Sequence, residues 1–281
     1  MHMAGTNKAL GQHWLNNRAI LNEIADLAAG LDTSGAADLA DDVGASGSSE
    51  KTGVEVCVEI GPGLGTLTSS LLKRFDKVVA VEYDKRLAEN LPGSFPGKNL
   101  EVVQGDILDF DFGEITWPYV VAGNIPYYIT SPIIQKLLTT SNPPERIVLL
   151  IQKEVAERIT SDKETQLSLF VKNRAKVEEG PVVPKGEFTP PPKVDSQVVI
   201  MEPHEAEVPE EVFGLIRMGF RAPRKKLIGN LTGLKSREEL AGIFADLGIS
   251  ADVRPGDLHL EDYRRLAEAV GKNVSKPRFS G

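Results

Sequence analysis

Apolar residues in the first two thirds of the chain fall into two alternating kinds of run. Residues 54–60 (VEVCVEI), 77–83 (KVVAVEY), 100–108 (LEVVQGDIL), 119–125 (YVVAGNI) and 146–152 (RIVLLIQ) are short, rich in β-branched residues and bounded by turn formers, which predicts five buried strands. The intervening runs have helical spacing. In 16–31 the apolar positions are Ile20, Ile24, Leu27 and Leu31, and a glycine-rich turn at 61–65 leads into a second helix. Residues 84–91 read as a short helix with Asp84 as its cap, and 131–140 as a helix with Ser131 at the N-cap and Pro132 at its first position. Another helix starts at Lys153. Strands alternating with helices predict an α/β fold, a parallel sheet with helices on both faces.

Two stretches break this rhythm. Residues 32–53 are small, polar and acidic, with little to bury, and read as a flexible insertion. Residues 181–203 are proline-rich and then strand-like. Beyond them 209–222, 236–248 and 260–271 have helical periodicity, so a domain of residues 1–203 is expected to precede a small helical domain of residues 204–281.

Composition narrows the function classes. No apolar run among the 281 residues approaches the roughly 20 needed to span a bilayer, and the first residues lack the apolar core of a signal peptide. A single cysteine, Cys57, cannot form an intramolecular disulfide and sits in a predicted core strand, so a reducing, cytoplasmic setting is expected. His204 and His259 have no partners at metal-ligand spacing, and no metal is expected. The net charge of −8 argues against nucleic acid only as an average. Between 217 and 237 the chain carries Arg217, Arg221, Arg224, Lys225, Lys226, Lys235 and Arg237 and no acid, whereas Asp32, Asp38, Asp41, Asp42 and Glu50 gather in the 32–53 segment.

Four motifs at the ends of the predicted strands carry candidate chemistry. Glu59-Ile60-Gly61-Pro62-Gly63-Leu64-Gly65 is a glycine turn entered through an acid. Glycines let the backbone approach a ligand. The G-x-G-x-G spacing and the preceding acid suit a cationic amino-acid moiety better than a diphosphate. Glu82 lies 21 residues after Gly61, the distance at which an acid accepts hydrogen bonds from ribose hydroxyls. Gly105-Asp106 ends the third strand and offers a carboxylate to an adenine amino group. Asn124-Ile125-Pro126-Tyr127-Tyr128 ends the fourth. An adenine N6 lone pair is delocalised into its ring and is a poor nucleophile. The Asn124 side-chain oxygen and the carbonyl of Ile125 or Pro126 could accept both N6 hydrogens, Pro126 would fix the backbone, and Tyr127 would face the base.

Together these residues resemble the ribosomal RNA adenine dimethyltransferase family. The resemblance also includes Gly11-Gln12-His13-Trp14-Leu15, Gln152 to Arg158, Phe188 to Ser196, Phe220, Arg224-Lys225 and the surroundings of Asn230. It implies a Rossmann-like methyltransferase domain with a small helical C-terminal domain. It also implies S-adenosylmethionine as cofactor and dimethylation of two adjacent adenosines in small-subunit rRNA within an assembling particle, by a monomer. By resemblance, Gln12, His13, Leu15, Glu59, Gly61, Gly63, Glu82, Tyr83, Asp106, Ile107 and Asn124 would contact the cofactor. Asn124, Pro126 and Tyr127 would hold the target base, Phe188 would supply its second face, and Arg221, Arg224, Lys225 and Lys226 would contact RNA. The chain departs from the family pattern at His13-Trp14, in a shorter loop after Arg158, at Pro223 and in the 32–53 insertion. The competing readings are a large-subunit rRNA methyltransferase of the antibiotic-resistance type, a non-catalytic RNA-binding assembly factor and a nicotinamide-dependent oxidoreductase.

Overall fold

The structure, a computed structural model, describes residues 12–31 and 54–271; the insertion expected at 32–53 lies outside them. The chain runs β1 (Trp14–Leu15), α1 (Arg18–Ala28), β2 (Val56–Ile60), α2 (Thr66–Leu71), β3 (Lys77–Glu82), α3 (Lys85–Asn90), β4 (Leu100–Gln104), β5 (Tyr119–Asn124) and α4 (Thr130–Thr139). It continues through β6 (Arg146–Gln152), α5 (Lys153–Thr160), α6 (Gln166–Lys172), β7 (Ala175–Val183), β8 (Phe188–Thr189) and β9 (Ser196–Pro203). The last elements are α7 (Glu210–Gly219), α8 (Leu227–Asn230), α9 (Arg237–Asp246) and α10 (Leu260–Val270). Among the described residues no helix is long and apolar enough to cross a membrane.

A seven-stranded sheet in the order β4-β3-β2-β5-β6-β9-β7 organises the first compact unit, residues 1–156 with 177–203. The pairs β4–β3, β3–β2, β2–β5 and β5–β6 are parallel, and β9 returns antiparallel to β6. Successive side chains of a strand point to opposite faces. One face of the central strands presents Cys57, Val78, Val120, Ala122, Val148 and Leu150 to a core shared with α1 and α2. The alternate residues Val58, Val121, Ile147 and Leu149 are equally buried. Burial on both faces is why these strands read as unbroken apolar runs.

The stripe of α1 is rotated from the one its sequence predicts. Leu21, Ile24, Ala25 and Ala28 are buried, while Ile20, Leu27 and Leu31 pack at the margin of the core. Asn17 caps the helix, and a bidentate pair from Arg74 to Asp26 (2.6 and 2.8 Å) fixes α1 to the end of the α2 segment. The expected cap at Ser131 is corrected: α4 begins at Thr130, whose hydroxyl donates to the Tyr127 carbonyl at 3.1 Å. Ser131 and Pro132 lie inside the first turn, where the missing proline N–H has no helical partner to lose.

The second unit comprises residues 157–176 and 204–281, so 157–176 does not belong with the first unit as the expected boundary at 203 had it. The physical reason is α6. Its Leu169 and Phe170 pack into a core with Phe213, Leu215, Leu227, Leu240, Phe244 and Tyr263. Arg174 stacks over Phe170 and Phe213, 4.5 and 5.3 Å from the ring centroids. Short helical segments such as this one are set by what they bury more than by propensity.

The glycine turn after β2 has φ values of +64°, +57° and +80° at Gly61, Gly63 and Gly65. A Cβ at Gly65 would lie 2.8 Å from both Leu91 Cδ1 and Phe95 Cε2. Left-handed backbone alone costs a non-glycine residue roughly 1–2 kcal/mol. Gly65→Ala is therefore expected to destabilise the protein by about 2 kcal/mol or more, read as a shift of the urea midpoint.

Candidate active site

The carboxyl ends of β2, β3, β4 and β5 open into one cavity of about 320 Å³. Ligands of open parallel sheets bind at this position. Its wall holds Gln12, His13 and Leu15 from β1 and the residues before it, Glu59, Gly61 and Gly63 after β2, and Glu82 and Tyr83 at the end of β3. Asp106 and Ile107 after β4 and Asn124, Pro126 and Tyr127 after β5 complete it. The cofactor and base residues proposed from sequence thus converge, with one exception.

Phe188 is the exception. It is buried in the core, paired with Leu15 across the two-stranded β1–β8 sheet, and it is not on the cavity wall. The ring that faces Tyr127 is His13, with centroids 6.0 Å apart and planes at 23°. His13 Nδ1 lies 2.7 Å from the Pro190 carbonyl, which holds the imidazole in place. Sequence reading named Trp14, Tyr128 and Ser196 within its motifs but gave none of them a site role. A Cβ on Gly63 would come 3.1 Å from Trp14 Nε1, so the indole lies across the glycine turn. Trp14 is placed by a two-residue strand pairing with Thr189, 175 positions away, which is invisible to local periodicity.

The first end of the cavity is acidic. Glu59 is 1% exposed and accepts a 2.6 Å hydrogen bond from the Thr68 hydroxyl, with no cationic side chain paired to it among the described residues. Burial pushes its carboxyl up to about 8, the Thr68 hydrogen bond opposes that, and the charge of Glu82 adds to it. Glu82 is held at both oxygens, by the Gly63 N–H at 3.0 Å and the Asp84 N–H at 2.8 Å. Burial raises its carboxyl too, against those hydrogen bonds. Two neighbouring buried carboxyls disfavour a diphosphate and favour a cation, which stabilises their ionised form. Asp106 caps its own turn through the Leu108 N–H at 2.9 Å.

The second end is shaped to accept hydrogen bonds. The Asn124 side-chain amide donates to the His13 carbonyl at 2.9 Å, which fixes the amide orientation and leaves Oδ1 without a partner among the described residues. The Pro126 carbonyl already accepts from the Ile129 N–H at 3.2 Å. Tyr127 is pinned by its hydroxyl to Ser196 Oγ at 2.7 Å, and burial raises its phenol.

A cavity with an acidic, glycine-lined end and an aimed amide acceptor can hold a cationic donor beside an exocyclic amine. A profile described as ribosomal RNA adenine dimethylase matches residues 3–272. The chain belongs to the ribosomal RNA adenine dimethylase family. Within this family the chain is 36% identical to a ribosomal RNA small subunit methyltransferase A from Nostoc sp., covering 96% of this chain and 99% of the relative. A dimethyladenosine transferase from Plasmodium falciparum superposes with a TM-score of 0.70 at 27% identity, over 90% of this chain and 96% of that one. A 23S rRNA methyltransferase shares the fold, with a TM-score of 0.68 at 24% identity over 92% and 99% of the two chains.

The residues that resemblance assigns to RNA lie in the second unit. Arg221, Arg224 and Lys225 are exposed with no acidic partner among the described residues. Lys226 differs in being engaged in an ion pair with Asp252.

Proposed function

We propose that this protein dimethylates the N6 amines of two adjacent adenosines near the 3′ end of small-subunit (16S) rRNA, with S-adenosylmethionine as methyl donor. The observation that carries the reading is the Asn124 amide. Its donor side is consumed by the His13 carbonyl, so its acceptor faces the same cavity as the buried carboxyl of Glu59.

Glu59, Gly61 and Gly63 would hold the amino-acid end of the cofactor, Glu82 and Tyr83 its ribose, and Asp106 and Ile107 its adenine. When bound, the cofactor supplies an electrophilic methyl group carried on a cationic sulfur. At the other end Asn124 Oδ1 accepts one N6 hydrogen of the target adenine. The Ile125 carbonyl is the better second acceptor, because that of Pro126 is already engaged. Drawing both hydrogens into the plane of these acceptors localises the nitrogen lone pair along the remaining direction. Tyr127, its hydroxyl tied to Ser196, offers a fixed face to a base taken out of its stack, and His13, whose ring centroid lies 6.0 Å from that of Tyr127, borders the same end of the cavity. Catalysis then rests on position and on dipoles set in advance, with no strong base needed before attack. Arg221, Arg224 and Lys225 would contact phosphates, giving binding that weakens steeply with salt. The reaction would take place in the cytoplasm, on a subunit under assembly.

The test is methyl transfer from labelled cofactor to unmethylated small subunits, followed by nucleoside mass analysis. Dimethyladenosine in the small-subunit RNA is expected. Label appearing only in large-subunit RNA, or no transfer at all, rejects the reading.

A further inference from the structure

Tyr127 and Tyr128 are neighbours in one 3₁₀ turn, Tyr127–Ile129, and they face different surroundings. Tyr127 is anchored inward on Ser196. Tyr128 also borders the cavity, yet it is 63% exposed, and its hydroxyl has no hydrogen-bond partner among the described residues. A large aromatic ring left open at the mouth of a binding cavity is a flat apolar surface awaiting a partner.

We propose that Tyr128 is the stacking platform for the nucleotide adjacent to the one held in the pocket, and so sets both RNA affinity and progress from the first adenosine to the second. The inference rests on the reading of the cavity as an adenosine N6 site. When one adenine swings into the cavity, its neighbour loses a stacking partner. An exposed ring one residue from Tyr127 lies where that neighbour must pass, because adjacent nucleotides share a backbone. Base–aromatic stacking tolerates any base, so the same ring serves whichever of the two adenosines is outside. The other large exposed ring on the cavity wall, Tyr83, follows β3, next to the groups assigned to the cofactor.

The test compares wild type with Tyr128→Ala, Tyr128→Leu, Tyr128→Phe and Tyr128→Trp on unmethylated small subunits. Tyr128→Ala is expected to raise KM for the particle about tenfold, with the change falling on KM more than on kcat. It is also expected to enrich products modified at only one of the two adenosines, mapped by nucleoside mass analysis of RNA fragments. Tyr128→Phe and Tyr128→Trp should restore wild-type behaviour, and Tyr128→Leu, similar in apolarity without a ring face, should not. Affinity for S-adenosylmethionine, measured by titration, should stay at the wild-type value in all four. A wild-type KM and product distribution in Tyr128→Ala overturns the proposal, as does Tyr128→Phe failing like alanine or a parallel loss of cofactor affinity. Those outcomes leave wild-type methylation standing. Wild type that transfers no methyl group to adenosine removes the functional reading and this proposal together.

Discussion

Asn124→Ala is expected to lower methyl transfer by about 10²-fold or more in single turnover at saturating cofactor, the scale seen when one preorganised polar group is lost. The cavity would survive, because the walls contributed by β2, β3 and β4 are untouched. What disappears is the acceptor for an N6 hydrogen. Asn124→Asp separates orientation from simple presence of oxygen. Aspartate keeps the shape and the acceptor but has no N–H for the His13 carbonyl, now 2.9 Å from a donor nitrogen. Two acceptors at that distance repel each other, so Asn124→Asp should be no better than alanine. Near-normal turnover in either variant removes Asn124 from the proposed role.

Glu59→Gln is expected to act in opposite directions on stability and on cofactor binding. The Glu59 carboxyl is raised from its ordinary 4.5 to about 8, chiefly by burial. Its folded value exceeds its unfolded one, so the folded state holds the proton more tightly. The stability tied to that proton is complete below about pH 4.5 and declines as pH rises towards 8, above which no more is lost. Glutamine has no such titration. Its melting temperature should match wild type in acid and exceed it at pH 8 to 9. The cationic donor, in contrast, prefers the ionised carboxylate. Binding at pH 7 should release a proton, seen as binding enthalpies that differ between buffers of different ionisation heat. In Glu59→Gln that difference should vanish and affinity should fall about tenfold or more. Buffer-independent binding by wild type would mean that Glu59 does not face the charge.

The parts of the fold legible in sequence are those where burial repeats locally. β2, β3, β5 and β6 announce themselves because both faces are packed, leaving no polar alternation to dilute the signal. The turn holding Gly61, Gly63 and Gly65 and the run from Asn124 to Tyr127 are local in the same sense, and the structure brings them to one cavity. Position along a strand does not reveal which distant residue faces it. Phe188 reads as a base-pocket wall, but its pairing with Leu15 turns it into the core, and the ring that meets Tyr127 comes from His13. The placement of 157–176 was hidden for a related reason. Leu169 looks apolar in either unit, and only the shape of its neighbours decides which core receives it. Ser131 is a good cap by type, yet the preceding turn at Tyr127–Ile129 starts the helix one residue early.

The return of the chain through β9 has a consequence for how such a site can diversify. Tyr127 is held by Ser196, the first residue of the one strand that runs against β6, whereas Glu59 and Glu82 hang from the parallel strands. The tyrosine proposed to face the target base is thus anchored from a different stretch of sequence than the two carboxyls proposed for the methyl source. A substitution at Ser196 would loosen the hold on the incoming base while leaving the strands that carry Glu59 and Glu82 as they are, which would give descendants of this scaffold a place to vary what they modify without relearning their chemistry.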